Sequence, residues 1–305
     1  MRTARLSAGA AAPEPPQPHF PSPYLRPHTA PVETRHIRMD DGAHIAAYVY
    51  GNRPCDIDAT VRPPVLFLHG NGEEHGIFGP MIDAVAERGY AVVALDSRAQ
   101  GRSTRGTRRL SYELMAKDAL CCLRELGVTQ AQLVGFSDGA IEALIIARDH
   151  PELAHSLLSI GANLTPEGVV DEEGWDIAGT IRAHAAWASW IRDLPADSPI
   201  DVALLCPTAD EAQDVVDLLG LMLEEPQIEA ASLATIACPT TIMAGEADCI
   251  LLSETEAIAA GIRSGGTADV RLVIVPEAGH SLPKEAPEVV TKELLALLAR
   301  AEKDV

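Results

Sequence analysis

From Pro64 onward the sequence switches repeatedly between two patterns. Short continuous apolar runs (VLFLHG, YAVVALD, AQLVGF) alternate with longer stretches whose apolar residues recur every three or four positions: IFGPMIDAVAERG, SYELMAKDALCCLRELG and DGAIEALIIARDHP. A strand with no polar face must be covered on both sides, and the intervening helices are the cover. The pattern therefore predicts an α/β domain with a mostly parallel central sheet and helices on both faces.

Upstream, HIRM and HIAAYVYG flank the turn residues Asp40-Asp41-Gly42, which reads as a hairpin forming an antiparallel edge of the sheet. After AHSLLSIGA the alternation breaks down. Between residues 163 and 236 two helical stretches carry Trp175, Trp187, Trp190 and the run VVDLLGLM, with Thr208 and Glu211 spaced as a capping box. The alternation resumes with TTIMAGE, a helix from Ser253 with Glu256 as its capping partner, the strand VRLVIV and the amphipathic EVVTKELLALLARAE. Residues 32–162 and 237–305 are thus expected to form the core, and 163–236 a helical cap inserted into it. Residues 1–31, rich in Pro and Ala, are expected to be a disordered, extended tail with no part in catalysis.

A formal net charge of -20 repels phosphate, which excludes nucleic acid and anionic membranes as partners. No stretch reaches transmembrane length, and the opening segment lacks a continuous apolar core for a signal peptide. The six cysteines form no CxxC pair, so reduced thiols in a cytoplasmic protein are expected.

The chemistry centres on Gly135-Phe136-Ser137-Asp138-Gly139, between an apolar strand and an apolar helix. A serine at such a sharp strand-to-helix turn adopts a strained backbone, and its flanking glycines admit neighbouring chain without a Cβ clash. Its hydroxyl needs a base, and the base needs an orienting group. His280, in PEAGHS after the last strand, is the expected general base and acid. Asp248, in the loop after TTIMAGE, is the expected orienting carboxylate, with Glu246 as its competitor. The glycine-rich turn in FLHGNGEEH supplies backbone donors, so Asn71 N–H and Asp138 N–H are the expected oxyanion hole. His69 is read as holding that turn rather than moving protons. Glu73, Glu74 and Asp138 would lend the mouth a negative potential suited to a cationic substrate group. Glu74, Trp187 and Trp190 are the candidate substrate contacts. The site calls for no metal and no organic cofactor.

The motifs HGNG, DSRAQGRS, GFSDG, GEAD and AGHS, in the order serine, acid, histidine, resemble those of the α/β-hydrolase superfamily over residues 34–302. The Ser-Asp-Gly of the elbow, with SIGANLTPEG after the next strand, is similar to the biphenyl-hydrolase-like esterases, a group that includes amino-acid ester hydrolases. The resemblance implies an α/β-hydrolase fold, an acyl-enzyme on Ser137, and a place for Asp138 in recognising a substrate amine. Asp96 and Arg98 of DSRAQGRS are read as holding their loop. The resemblance does not extend to the cap. Hydrolysis of a small carboxylic ester is the expected activity. Thioester, amide, lactone or C–C hydrolysis, perhydrolysis, and a non-catalytic ligand receptor are the alternatives.

Overall fold

The computed structural model describes residues 12–18, 23–56, 62–170, 176–267 and 269–303. Strands β1 (Glu33–Arg38) and β2 (His44–Gly51) form the expected hairpin, and Gly42 at its turn has φ +88°, open to glycine at no steric cost. The other strands are β3 (Val65–Leu68), β4 (Ala91–Leu95), β5 (Ala131–Phe136), β6 (Ala154–Ile160), β7 (Thr240–Gly245) and β8 (Val270–Val275). They lie in the order β1-β2-β4-β3-β5-β6-β7-β8. Pairing is antiparallel for β1 with β2 and β2 with β4, and parallel everywhere else.

Alternate side chains of the central strands enter opposite layers, as the two-residue period of a strand requires. Leu66, Leu68, Val93, Leu95 and Leu133 pack into one core with helices α2 (Tyr112–Glu125) and α3 (Asp138–Asp149). Val65, Phe67, Val92, Ala94 and Val134 pack into the other, beneath α1 (Gly79–Glu87) and, at the end of the chain, Pro287–Ala301.

Between β6 and β7 the chain leaves the sheet and forms two long helices, α4 (Ile177–Arg192) and α5 (Ala209–Glu224), packed on each other. Both halves of the Thr208–Glu211 capping box are present. The later helices are α6 (Leu252–Ser264), α7 (Leu282–Glu285) and α8 (Pro287–Ala301). The Ser253–Glu256 box expected for α6 is not formed. That helix starts at Leu252 with Leu251 at the N-cap, which puts Ser253 inside the first turn instead of at its boundary. No helix among the described residues is long and apolar enough to cross a membrane.

The loop after β4 is held by charge. Arg98 is fully buried and forks onto Asp118, with Nε–Oδ2 at 2.7 Å and Nη2–Oδ1 at 2.8 Å. Its Nη1 donates to Asp41 at 2.6 Å and to the Arg105 carbonyl at 3.1 Å. Asp96 accepts from Tyr48 Oη and from the backbone and ring of His75. Both residues therefore hold the loop, as their sequence context suggests.

Residues 1–11 and 19–22 of the expected tail, and Trp175 of the expected cap, lie outside the described residues. Residues 24–29 run against the body of the protein. Asp83 on α1 accepts from the His28 and Thr29 backbone at 2.9 Å each. Gly79 lies so close to the Leu25 carbonyl that a Cβ there would overlap it.

Candidate active site

β5 runs straight into α3, and the residue at the junction, Ser137, has φ 54° and ψ -121°. A non-glycine residue in that region carries strain of about 1–3 kcal/mol, held here by its surroundings. Ser137 N–H donates to the Ile160 carbonyl of β6 at 2.8 Å. A Cβ on Gly135 would overlap the Gly139 carbonyl, and one on Gly139 would overlap the Leu68 and His69 carbonyls. The two glycines thus let helix and strands approach closely enough to push the serine hydroxyl out over the end of the sheet.

His280 and Asp248 reach the same point from the loops after β8 and β7. His280 Nε2 lies 3.0 Å from Ser137 Oγ, and His280 Nδ1 lies 2.7 Å from Asp248 Oδ1. The same Asp248 oxygen accepts from Ile250 N–H at 2.8 Å, which fixes the carboxylate. Glu246, the competing acid, is used elsewhere and accepts from Glu277 N–H at 3.0 Å. Burial disfavours charge on the His280 ring. The Asp248 carboxylate, and secondarily the neighbouring Cys249 sulfur, outweigh that effect and hold its pKa well above the ordinary 6.5. Burial pushes Asp248 in the opposite sense to its histidine partner, and the hydrogen bond from His280 keeps it below the usual carboxylate range.

Two supports of His280 carry no sequence signature. Glu285 accepts from Gly279 N–H at 2.6 Å and from Ser281 N–H at 2.9 Å, clamping the loop on both sides of the histidine. Gly161, at φ +64°, lies directly behind the ring. A Cβ there would sit 3.0 Å from His280 Cε1 and 3.2 Å from Nδ1. Gly161→Ala is accordingly expected to displace the imidazole and cut kcat/KM for a small ester by about 10- to 100-fold. Paired kinetics and thermal melts check this, because a merely structural glycine would lower the melting temperature and leave the folded enzyme's kcat/KM unchanged.

The turn after β3 crosses Ser137. A Cβ on Gly70 would fall 2.9 Å from Ser137 Cβ, which brings Asn71 to the serine. Asp138 N–H, in the first turn of α3, has no intrahelical acceptor and sits at the positive end of the helix dipole. His69 is fully buried, with Nε2 accepting from Ser97 N–H at 2.9 Å, so its Nδ1–H donates to the Gly70 carbonyl at 2.8 Å. Burial lowers its pKa, and the neutral ring holds the turn.

The Asp138 carboxylate is buried beside the serine. It accepts from Tyr112 Oη at 2.9 Å and Asn71 Nδ2 at 3.0 Å, and Asn71 Nδ2 also reaches the Leu218 carbonyl of α5 at 3.1 Å. Burial raises its pKa to about 6, the two hydrogen bonds and His280 only partly opposing the shift. Tyr112, which lies 26 positions before Asp138 in the chain, has no sequence signal pointing to this contact.

A cavity of about 880 Å³ opens over Ser137 and His280. Its far wall is formed by Thr180, Ala183 and His184 of α4 and by Val215, Leu219 and Met222 of α5. Pro16, Gln17 and Pro18 also line it, so part of the segment expected to lie apart from catalysis borders the site. The three substrate contacts expected from sequence are not brought there. Trp187 and Trp190 pack on each other with ring centroids 5.0 Å apart, and Trp187 Nε1 donates to the Pro207 carbonyl at 2.7 Å. They fill the seam between α4 and α5, because that seam is the apolar interface available to a two-helix insertion. Glu74 turns away to Tyr24 and to Arg26, 2.6 Å distant. Glu73 does line the cavity and accepts from Lys284 Nζ at 2.6 Å.

A family model described as alpha/beta hydrolase fold matches residues 63–179. The chain is 29% identical over 222 residues to a Mus musculus protein named Serine hydrolase BPHL, spanning 72% of this chain and 73% of that protein. The Homo sapiens protein of the same name is 29% identical over 217 residues, or 70% of each chain. Among solved structures, a carboxylesterase of Nitrososphaera gargenis superposes with a TM-score of 0.67 at 17% identity, covering 88% of this chain and 100% of that one.

Proposed function

The chain belongs to the α/β-hydrolase superfamily, and from that membership we propose that it is a serine hydrolase cleaving a small carboxylic ester through an acyl-enzyme on Ser137. The observation that carries this reading is the continuous hydrogen-bonded path from Ser137 Oγ through His280 to Asp248. His280 Nε2 takes the hydroxyl proton as Ser137 attacks the ester carbonyl, and Asp248 stabilises the imidazolium that forms. The negative oxygen of the tetrahedral intermediate is held by the Asn71 and Asp138 amides. His280 then passes its proton to the leaving alkoxide and activates the water that releases the acid.

Residues 163–236 are read as a cap whose α4 and α5 faces choose the substrate, while the triad supplies the acyl chemistry common to the fold. The side chains of Val215, Leu219 and Met222 favour an apolar portion of the substrate. Six free cysteines agree with a reducing, cytoplasmic setting.

Asp248→Asn tests the assignment of roles. The general base must be neutral, so activity grows with pH as His280 loses its proton, and the elevated His280 pKa puts the acid limb of the pH–kcat/KM profile above 6.5. Without the carboxylate that limb should move to lower pH, while kcat for p-nitrophenyl butyrate falls by about 10⁴-fold. An unchanged limb, or a loss of less than about tenfold, would remove Asp248 from the mechanism.

A further inference from the structure

Cys249 follows the triad acid directly and lies in the same cavity as His280. One ligand atom each from Asp248, Cys249 and His280 fall within 4.8 Å of one another. A thiol, an imidazole and a carboxylate are the three donor types that Zn2+ combines in its protein sites.

A further observation points to a ligand there. The Asp248 side chain is only 1% exposed, yet its Oδ2 has no hydrogen-bond partner among the described residues. A buried anionic oxygen left without a donor carries a desolvation cost that a bound cation would remove.

We propose that Asp248, Cys249 and His280 form a site for one borderline-soft divalent cation, of which Zn2+ is the type, and that its occupation switches the triad off. The loss of activity rests on the serine-hydrolase reading above, whereas the binding does not. Three protein ligands leave a fourth position for water facing the cavity. The ion displaces to solvent the thiol proton and, from the charged ring, one imidazolium proton, and takes up the lone pair so freed on the imidazole. Coordination through Nε2 occupies the atom that must accept the Ser137 proton. Coordination through Nδ1 leaves the neutral ring protonated on Nε2, so that an N–H faces Ser137 instead of a lone pair. Bonds of roughly 2.0–2.1 Å to nitrogen and oxygen also hold those ligands roughly 3.3 Å apart. Where Nδ1 and Oδ1 are both ligands, their present separation of 2.7 Å must open, which moves the ring from its position against Ser137.

The test is calorimetric titration of the full chain with ZnCl2, run in parallel with inhibition of p-nitrophenyl butyrate hydrolysis and its reversal by EDTA. One Zn2+ per chain is expected, with binding and inhibition both weakened at least 10- to 100-fold in Cys249→Ala, and with Mg2+ inert because it prefers all-oxygen octahedral sites. Cys249→Ser, which keeps the side-chain size but replaces sulfur by a harder donor, gives the same comparison if the alanine variant does not fold. Zinc binding that survives at full strength in a folded Cys249 variant overturns the proposal, as does a wild-type chain that binds no zinc. Cys249-dependent binding in a chain that hydrolyses no ester would support the metal site and refute the hydrolase reading.

Discussion

Ser137→Ala is expected to lower kcat for a small ester by about 10⁶-fold, His280→Ala by a similar factor, and the double variant by no more than either alone. The non-additivity is the informative part. In the proposed mechanism serine and histidine act as one unit, because the hydroxyl is a nucleophile only while His280 Nε2, 3.0 Å away, can take its proton. Once one member is gone, the other contributes nothing further. What remains is about 10³–10⁴-fold over water, from binding and the oxyanion donors. Single-turnover kinetics with an activated ester measure all three variants on one scale. Losses that multiply would mean that the two residues act independently.

The second large effect concerns stability. Arg98→Met should reduce the free energy of unfolding by about 3–5 kcal/mol, because it strands a buried carboxylate. The two carboxylates are not equally exposed to that loss. Asp41 keeps N–H donors from Thr107 and Arg108, both at 3.1 Å, whereas Asp118 loses both prongs of the guanidinium fork. Adding Asp118→Leu to Arg98→Met should therefore recover much of the loss, since removing both charges is far cheaper than leaving one unpaired. Urea titrations of the two variants check this. A double variant as unstable as the single would mean that Arg98 acts through packing or through its bond to the Arg105 carbonyl.

Much of the fold was legible because it rests on local periodicity. A parallel strand buried on both faces reads as a near-continuous apolar run, and VLFL and AVVAL do, as does AQLVGF apart from Gln132, whose buried side chain accepts from Ser156 Oγ. That Ser137, His280 and Asp248 come together was legible for a related reason: each sits past the end of a strand, where the loops of an open α/β sheet converge. Asp248 is preferred to Glu246 because it lies further past the strand end, and the geometry adds that the Glu246 carboxylate serves the Glu277 amide.

What stayed hidden depends on contacts between distant segments. Tyr112 reaches Asp138 across a helix pair, Glu285 clamps the His280 loop from the following helix, and Gly161 backs the imidazole from the end of β6. None has a local pattern that distinguishes it from an ordinary core tyrosine, helix glutamate or turn glycine. The tryptophans misled for the converse reason. An aromatic stripe on an inserted helix shows that one face is buried, but not against what, and here the partner of Trp187 is the start of α5. The walls that α4 contributes to the cavity are instead Thr180, Ala183 and His184.

The central claim is that Ser137 is a nucleophile activated by His280, and labelling by a fluorophosphonate tests it most directly. Mass spectrometry of the labelled protein should find one adduct, on Ser137, absent from Ser137→Ala and from His280→Ala. A folded wild-type chain that takes no label at Ser137, or a His280→Ala variant labelled as fast as wild type, would contradict it.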